Sequence, residues 1–294
     1  MLPHLVHFLA DDFGWANVGW HREQSSAKDV QTPNLDRLAA DGIVLDRHYA
    51  HKICSPSRCA IQSGRAPIHV NVQNVLPEVV NPRDPVGGYQ GIPLNMTAIA
   101  TVLRRSGYQT HIVGKWDVGM ATEEHHPRAR GYQSWYGYWH HANDYWSSAV
   151  GTCAALPIVR DLWRYNATFD GPAAADQNGP SCSQRIQQPA GEQCVFEEEL
   201  LSREATAVIE RHDISTPLFL FYSSHLIVRS PYATRLPPPY IIQRLWLLSL
   251  WYLLSLLSLV PTVSGSRECI LSHVTTFESP PIFAARAASD PQKV

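Results

Sequence analysis

The first apolar run, Pro3-His-Leu-Val-His-Phe-Leu-Ala10, stops abruptly at Asp11-Asp12. A buried strand ends this way when it reaches a polar edge, so Leu2 to Ala10 is predicted to be a strand. Thr32-Pro33 opens a helix, with Thr as N-cap, Pro in the first turn, Leu35, Leu38 and Ala39 on one face and Gly42 as the stop. Thr97 to Gly107 repeats the design. There Ile99, Val102 and Leu103 point inward, and Arg104 and Arg105 complement the helix dipole in the last turn. Tyr108 to Trp116 predicts a second strand, Phe196 to His212 a helix with acids at its start, and Pro217 to Ser224 a further strand. Helix followed by strand, twice over, predicts an α/β fold with a mostly parallel central sheet flanked by helices. Residues 121–195, rich in Trp, Tyr, His, Gly and Pro, predict a long excursion over the polar edge of that sheet.

The pattern changes after about residue 228. Leu245 to Val260 is an uncharged run of Leu, Trp, Tyr, Ser and Val. It falls short of the roughly 20 apolar residues that a spanning helix needs, but it could contact a membrane. The remainder to Val294 has no usable periodicity. The chain therefore divides into a domain over 1–228 and an atypical tail over 229–294, and no internal repeat is found.

Cys54-Ser55-Pro56-Ser57-Arg58 carries the most chemistry. Ser55 and Pro56 are a natural N-cap and first-turn pair, Ala60, Ile61 and Gln62 continue a helix, and Gly64 ends it. Cys54 is then placed at a helix N-terminus, where free N–H groups favour an anion, and Arg58 lies one turn on to reach the same anion. Taken alone, a Cys before a helix reads more readily as structural than as catalytic.

Composition narrows the classes. A formal charge of −2, with 17% charged residues, gives no basic stripe for nucleic acid. Six cysteines are too few and too scattered for a disulfide scaffold, although Cys153, Cys182 and Cys194 could contribute one bridge in an oxidising compartment. The sequons at Asn95 and Asn166 fit a secreted route, while the N-terminus shows no basic, cleavable leader.

The spelling C-x-P-S-R around Cys54 resembles the signature of the type I sulfatases. Leu9-Ala-Asp11-Asp12-Phe-Gly-Trp15, Thr32-Pro-Asn-Leu-Asp36-Arg-Leu-Ala, Ser63-Gly-Arg65 and Val113-Gly-Lys115-Trp116 match that family in order and spacing. The Gly114-to-Tyr145 stretch looks most like its arylsulfatase B group. The resemblance implies an alkaline-phosphatase/sulfatase-like fold, C-terminally incomplete, and a secretory or lysosomal location. It also implies hydrolysis of aryl or sugar sulfate esters. Cys54 would be oxidised to formylglycine by a formylglycine-generating enzyme, because a geminal diol can attack sulfur and then release sulfate, which a thiolate cannot readily do. Asp11, Asp12 and the modified Cys54 would hold calcium, Arg58 would support the hydrate, and Lys115 would neutralise the sulfo group.

Three departures from the family qualify this expectation. Asp117 stands where the family has His, two residues after the Lys. A later His-Pro is replaced around Arg229, so His225, four residues earlier, is the substrate-binding candidate there. The downstream Asp-Asn pair and Lys of the family have no counterpart after Arg229, where the only acids are Glu268, Glu278 and Asp290. The tail is accordingly expected to be truncated, mis-joined or membrane-associated, and the chain to bind calcium poorly and to have little or no sulfatase activity. The alternatives are a non-catalytic sulfatase-like protein and, on the same superfold, a phosphoesterase. His125-His126 and His140-His141 lack zinc spacing and are expected on a solvated loop. Trp135, Tyr136, Tyr138, Trp139, Tyr145 and Trp146 fit either a sugar or aryl cleft or plain packing.

Overall fold

The computed structural model describes residues 2–22, 31–73, 91–150, 159–173 and 195–225. Six strands form one sheet in the order β1-β8-β2-β3-β6-β7: β1 (Leu5–Ala10), β2 (Gln109–Gly114), β3 (Ser134–Gly137), β6 (Trp163–Tyr165), β7 (Asp170–Pro172) and β8 (Leu218–Ser224). The first four in that order are parallel, whereas β6 and β7 are antiparallel. A separate ribbon pairs β4 (Ala149–Val150) with β5 (Val159–Arg160). The α-helices among the described residues are α1 (Pro33–Asp41), α2 (Cys54–Ser63), α3 (Ile99–Arg105) and α4 (Glu197–Arg211), with four short 3-10 turns besides.

The sequence of β8, Leu-Phe-Leu-Phe-Tyr-Ser-Ser, explains why it lies inside the sheet. All seven of its residues are buried, as a parallel strand covered on both faces requires. Its side chains alternate between two cores. Leu218, Leu220 and Tyr222 pack with Leu35 of α1 and with Leu200, Leu201, Ala205 and Val208 of α4. Phe219 and Phe221 pack on the other face with Ile112, Trp116, Trp135, Cys59 of α2 and Ala100 of α3.

Register brings three strand ends to one edge. Ala10 pairs with Ser224 and Gly114 with Ser223, so Asp11-Asp12, Lys115 and His225 leave the sheet side by side. Gly114 is required there. Its φ is +96°, and a Cβ would lie 1.8 Å from the Ser223 carbonyl oxygen.

Several expectations change. Residues 121–195 are not only an excursion, because they supply β3, β6 and β7 to the sheet itself. Ile53, with extended φ and ψ, takes the N-cap position of α2, which puts Cys54 and Ser55 inside the first turn rather than before it. The expected solvated histidine loops are packed instead. His125, His126 and His140 are buried, with Thr122 against His125, Asp170 against His126 and Asp161 against His140. Trp135, Tyr138 and Tyr145 are core residues. Among the described residues, no helix is long and apolar enough to cross a membrane. The Leu245–Val260 segment, the 228/229 boundary, Cys153, Cys182 and Cys194 lie outside the described residues.

Candidate active site

Asp11 is the first residue past β1 and is fully buried. Asp12 follows at φ +53°, a left-handed conformation that Asp tolerates better than most residues, and this turn sets both carboxyls at the strand end. Cys54 starts α2. One ligand atom from each of Asp11, Asp12 and Cys54 lies within 4.8 Å of the others. Two carboxylates meeting a third donor at a strand terminus suit a hard divalent cation, so the residues present fit such an ion.

Two cations close over this point. Lys115 Nζ donates to Asp11 Oδ2 at 2.6 Å, and the Arg58 guanidinium lies 3.1 Å from Asp11 Oδ1. Arg58 is anchored by donating to the Lys115 carbonyl at 3.2 Å and to the Ser223 hydroxyl. It therefore cross-links α2 to the ends of β2 and β8. Burial pushes Asp11 upward, but Lys115 and Arg58 outweigh it and hold the carboxyl below the ordinary range. Burial pulls Lys115 down, and Asp11, Cys54 and Asp117 return it above the usual lysine value.

Asp117 completes the cage. It is fully buried at φ +54° and accepts the Ser55 hydroxyl at 2.6 Å. Its Oδ2 lies 3.7 Å from Lys115 Nζ and 3.9 Å from Arg58 Nε. Burial holds Asp117 above the ordinary carboxylate value, although Lys115, Arg58 and the Ser55 hydroxyl oppose that rise. Burial also pushes the Cys54 thiol up to about 12, so the unmodified side chain is a neutral thiol at physiological pH.

His225 is fully buried beside Tyr138 and Tyr145, with ring centroids at 4.6 and 4.4 Å. Its Nδ1 is 3.0 Å from Glu197 Oε1, and its Nε2 has no hydrogen-bond partner among the described residues. Burial lowers His225 to about 3, with Lys115, Asp11 and Arg58 as its main charged neighbours in the cage. Asn143 and Ser148 hold the far oxygen of Glu197 at 2.8 and 2.6 Å, and Glu198 accepts from Tyr222 and from the His225 backbone.

The structure thus brings together Asp11, Asp12, Cys54, Arg58 and Lys115, and sets His225 behind them; Arg229 lies outside the described residues. Sequence reasoning missed Ser55, Ser223, Glu197 and Glu198. The acids opening α4 were legible only as acids at the start of a helix, whereas Glu197 and Glu198 are buried carboxyl groups raised to about 8 and about 7, chiefly by burial.

A family model described as "Sulfatase" matches residues 3–225. The chain is 30% identical over 233 residues to mouse (Mus musculus) arylsulfatase J, covering 78% of this chain and 33% of that protein. It is 36% identical over 136 residues to human (Homo sapiens) N-acetylgalactosamine-6-sulfatase, covering 46% of this chain and 25% of that protein. The chain thus spans about a third of the first relative's length. Among solved structures it is similar in fold to the PsFucS1 sulfatase of Pseudoalteromonas sp., with a TM-score of 0.60 at 19% identity, covering 88% of this chain and 52% of that one. The Ps i-CgsB crystal structure gives a TM-score of 0.59 at 20% identity, covering 88% and 55%.

Proposed function

This chain belongs to the sulfatase family, and from that premise we propose that it hydrolyses a sulfate ester of a sugar or aryl alcohol at the pocket around Cys54. The observation that carries this reading is the convergence of Asp11, Asp12 and Cys54 under Lys115 and Arg58. A formylglycine made from Cys54 by a formylglycine-generating enzyme would supply the nucleophile, and a divalent cation, calcium by family resemblance, would supply Lewis acidity. Asp11 and Asp12 would hold that cation. Lys115, kept charged by its carboxylate neighbours, is placed to neutralise the sulfo group, and Arg58 fixes the N-terminal turn that presents Cys54. His225, whose Nε2 has no hydrogen-bond partner among the described residues, would serve as a substrate-binding group. The high thiol pKa supports modification rather than direct thiolate attack, because a neutral thiol is a poor nucleophile.

The test is aryl-sulfate turnover by the full chain in calcium, after co-expression with a formylglycine-generating enzyme. Turnover is expected to be slow, because the three described ligand residues supply only part of the six to eight oxygens that calcium takes. It should disappear in Cys54→Ala. Turnover that survives this substitution would place the chemistry elsewhere.

A further inference from the structure

Asp117 is a buried carboxylate whose partners are all donors or cations. Ser55 fixes one oxygen at 2.6 Å, and the other, with no hydrogen-bond partner among the described residues, faces Lys115 and Arg58 at 3.7 and 3.9 Å. It cannot swing aside easily. Its backbone N–H donates to the Trp139 carbonyl at 3.1 Å, the preceding residue is tied to Tyr138, and its own φ is +54°. The carboxyl group is therefore fixed in the site, and it lies against two cations, Lys115 and Arg58, that would hold a substrate anion.

Counting charges gives this position a consequence. Among the described residues, ionised Asp11, Asp12 and Asp117 set three negatives against the two positives of Arg58 and Lys115, one negative charge in excess. A divalent cation at Asp11 and Asp12 turns that excess into one positive charge, which matches a monoanion. A sulfate ester carries one negative charge, whereas inorganic sulfate and a phosphate monoester at neutral pH carry two. Without Asp117 the same pocket would match a dianion. A buried charge a few ångströms from the ligand acts at low effective dielectric, where one unit of charge shifts an equilibrium by tenfold or more.

We propose that Asp117 is a specificity-determining residue that tunes the pocket to singly charged sulfo groups and against dianions, including the inorganic sulfate that ester hydrolysis releases. The proposal rests on the reading of this pocket as a sulfate-ester site. Weak product retention follows directly, because the released dianion meets the fixed carboxylate.

The experiment is isothermal calorimetry of the full chain in calcium buffer with two probes of nearly the same shape, inorganic sulfate as dianion and sulfamate as monoanion. D117N should tighten sulfate by about tenfold or more and sulfamate distinctly less, reversing the wild-type preference. D117S gives the same readout if the amide disturbs folding, as judged by circular dichroism. Equal tightening of both probes, or no change in either, overturns the assignment to Asp117 and leaves the sulfate-ester reading standing. If neither protein binds either anion, the pocket is not an anion site and both readings fall.

Discussion

Lys115 has no exposed surface and lies 2.6 Å from Asp11 and 3.7 Å from Asp117, so its charge is neutralised twice within one layer of side chains. Removing it would leave two buried carboxylates to share Arg58 as their remaining described cation. Lys115→Met should therefore cost about 3–5 kcal/mol, the range for breaking one side of a buried ion pair, and the loss is read as a lowered denaturation midpoint. An unchanged midpoint would mean that the cage contributes nothing to folding. At this scale the sequence displayed identities but not all partnerships. Asp11, Asp12, Cys54, Arg58 and Lys115 were legible because each stands in a motif of fixed spelling. Ser55 was misread as an N-cap because local capping is the default role of Ser before Pro. In the fold its hydroxyl is committed instead to Asp117, 62 residues on. No local rule reports a partner at that separation.

Among the elements, those buried on both faces were easiest to find. β8 is buried along its whole length and β1 and β2 over their last three residues, and the structure trims each predicted strand by only a few residues. β3, β6 and β7 have three or four residues each, too few for a period to show; the Trp and Tyr of β3 and β6 fit loops and strands alike, and the Asp-Gly-Pro of β7 reads as a turn. The start of α4 carries a prediction of its own. Glu198 is fully buried and raised from 4.5 to about 7, mainly by desolvation, so its folded-state value exceeds its unfolded one. The folded chain therefore binds the extra proton, and the resulting stabilisation is present below about 4.5 and lost as pH rises through about 7. Glu198→Gln should flatten that decline, measured as unfolding midpoints from pH 5 to 8. A slope as steep as wild type would assign the decline to other groups. The same helix buries Leu201 completely against β8, and Leu201→Ala should cost about 2–5 kcal/mol of stability in chemical denaturation.

For the molecule as a whole, the topology and the site are one argument. A parallel core places the carboxyl ends of β1, β2 and β8 at one edge, and α2 presents its N-terminal turn there, so one surface collects acids, cations and Cys54. The fold class was legible from the alternation of helix and strand, and the family from the spelling around Cys54. The charge balance of the pocket was not, because it depends on Asp117 and Asp11 flanking the same two cations in three dimensions. Conversion of Cys54 tests the account most directly, since the proposed chemistry requires it and a structural cysteine would not undergo it. The measurement is mass spectrometry of the peptide containing Cys54 after co-expression with a formylglycine-generating enzyme, beside a sulfatase control. The account predicts a loss of about 18 Da at Cys54, the thiol-to-aldehyde change; an unmodified Cys54 where the control is fully converted would contradict it.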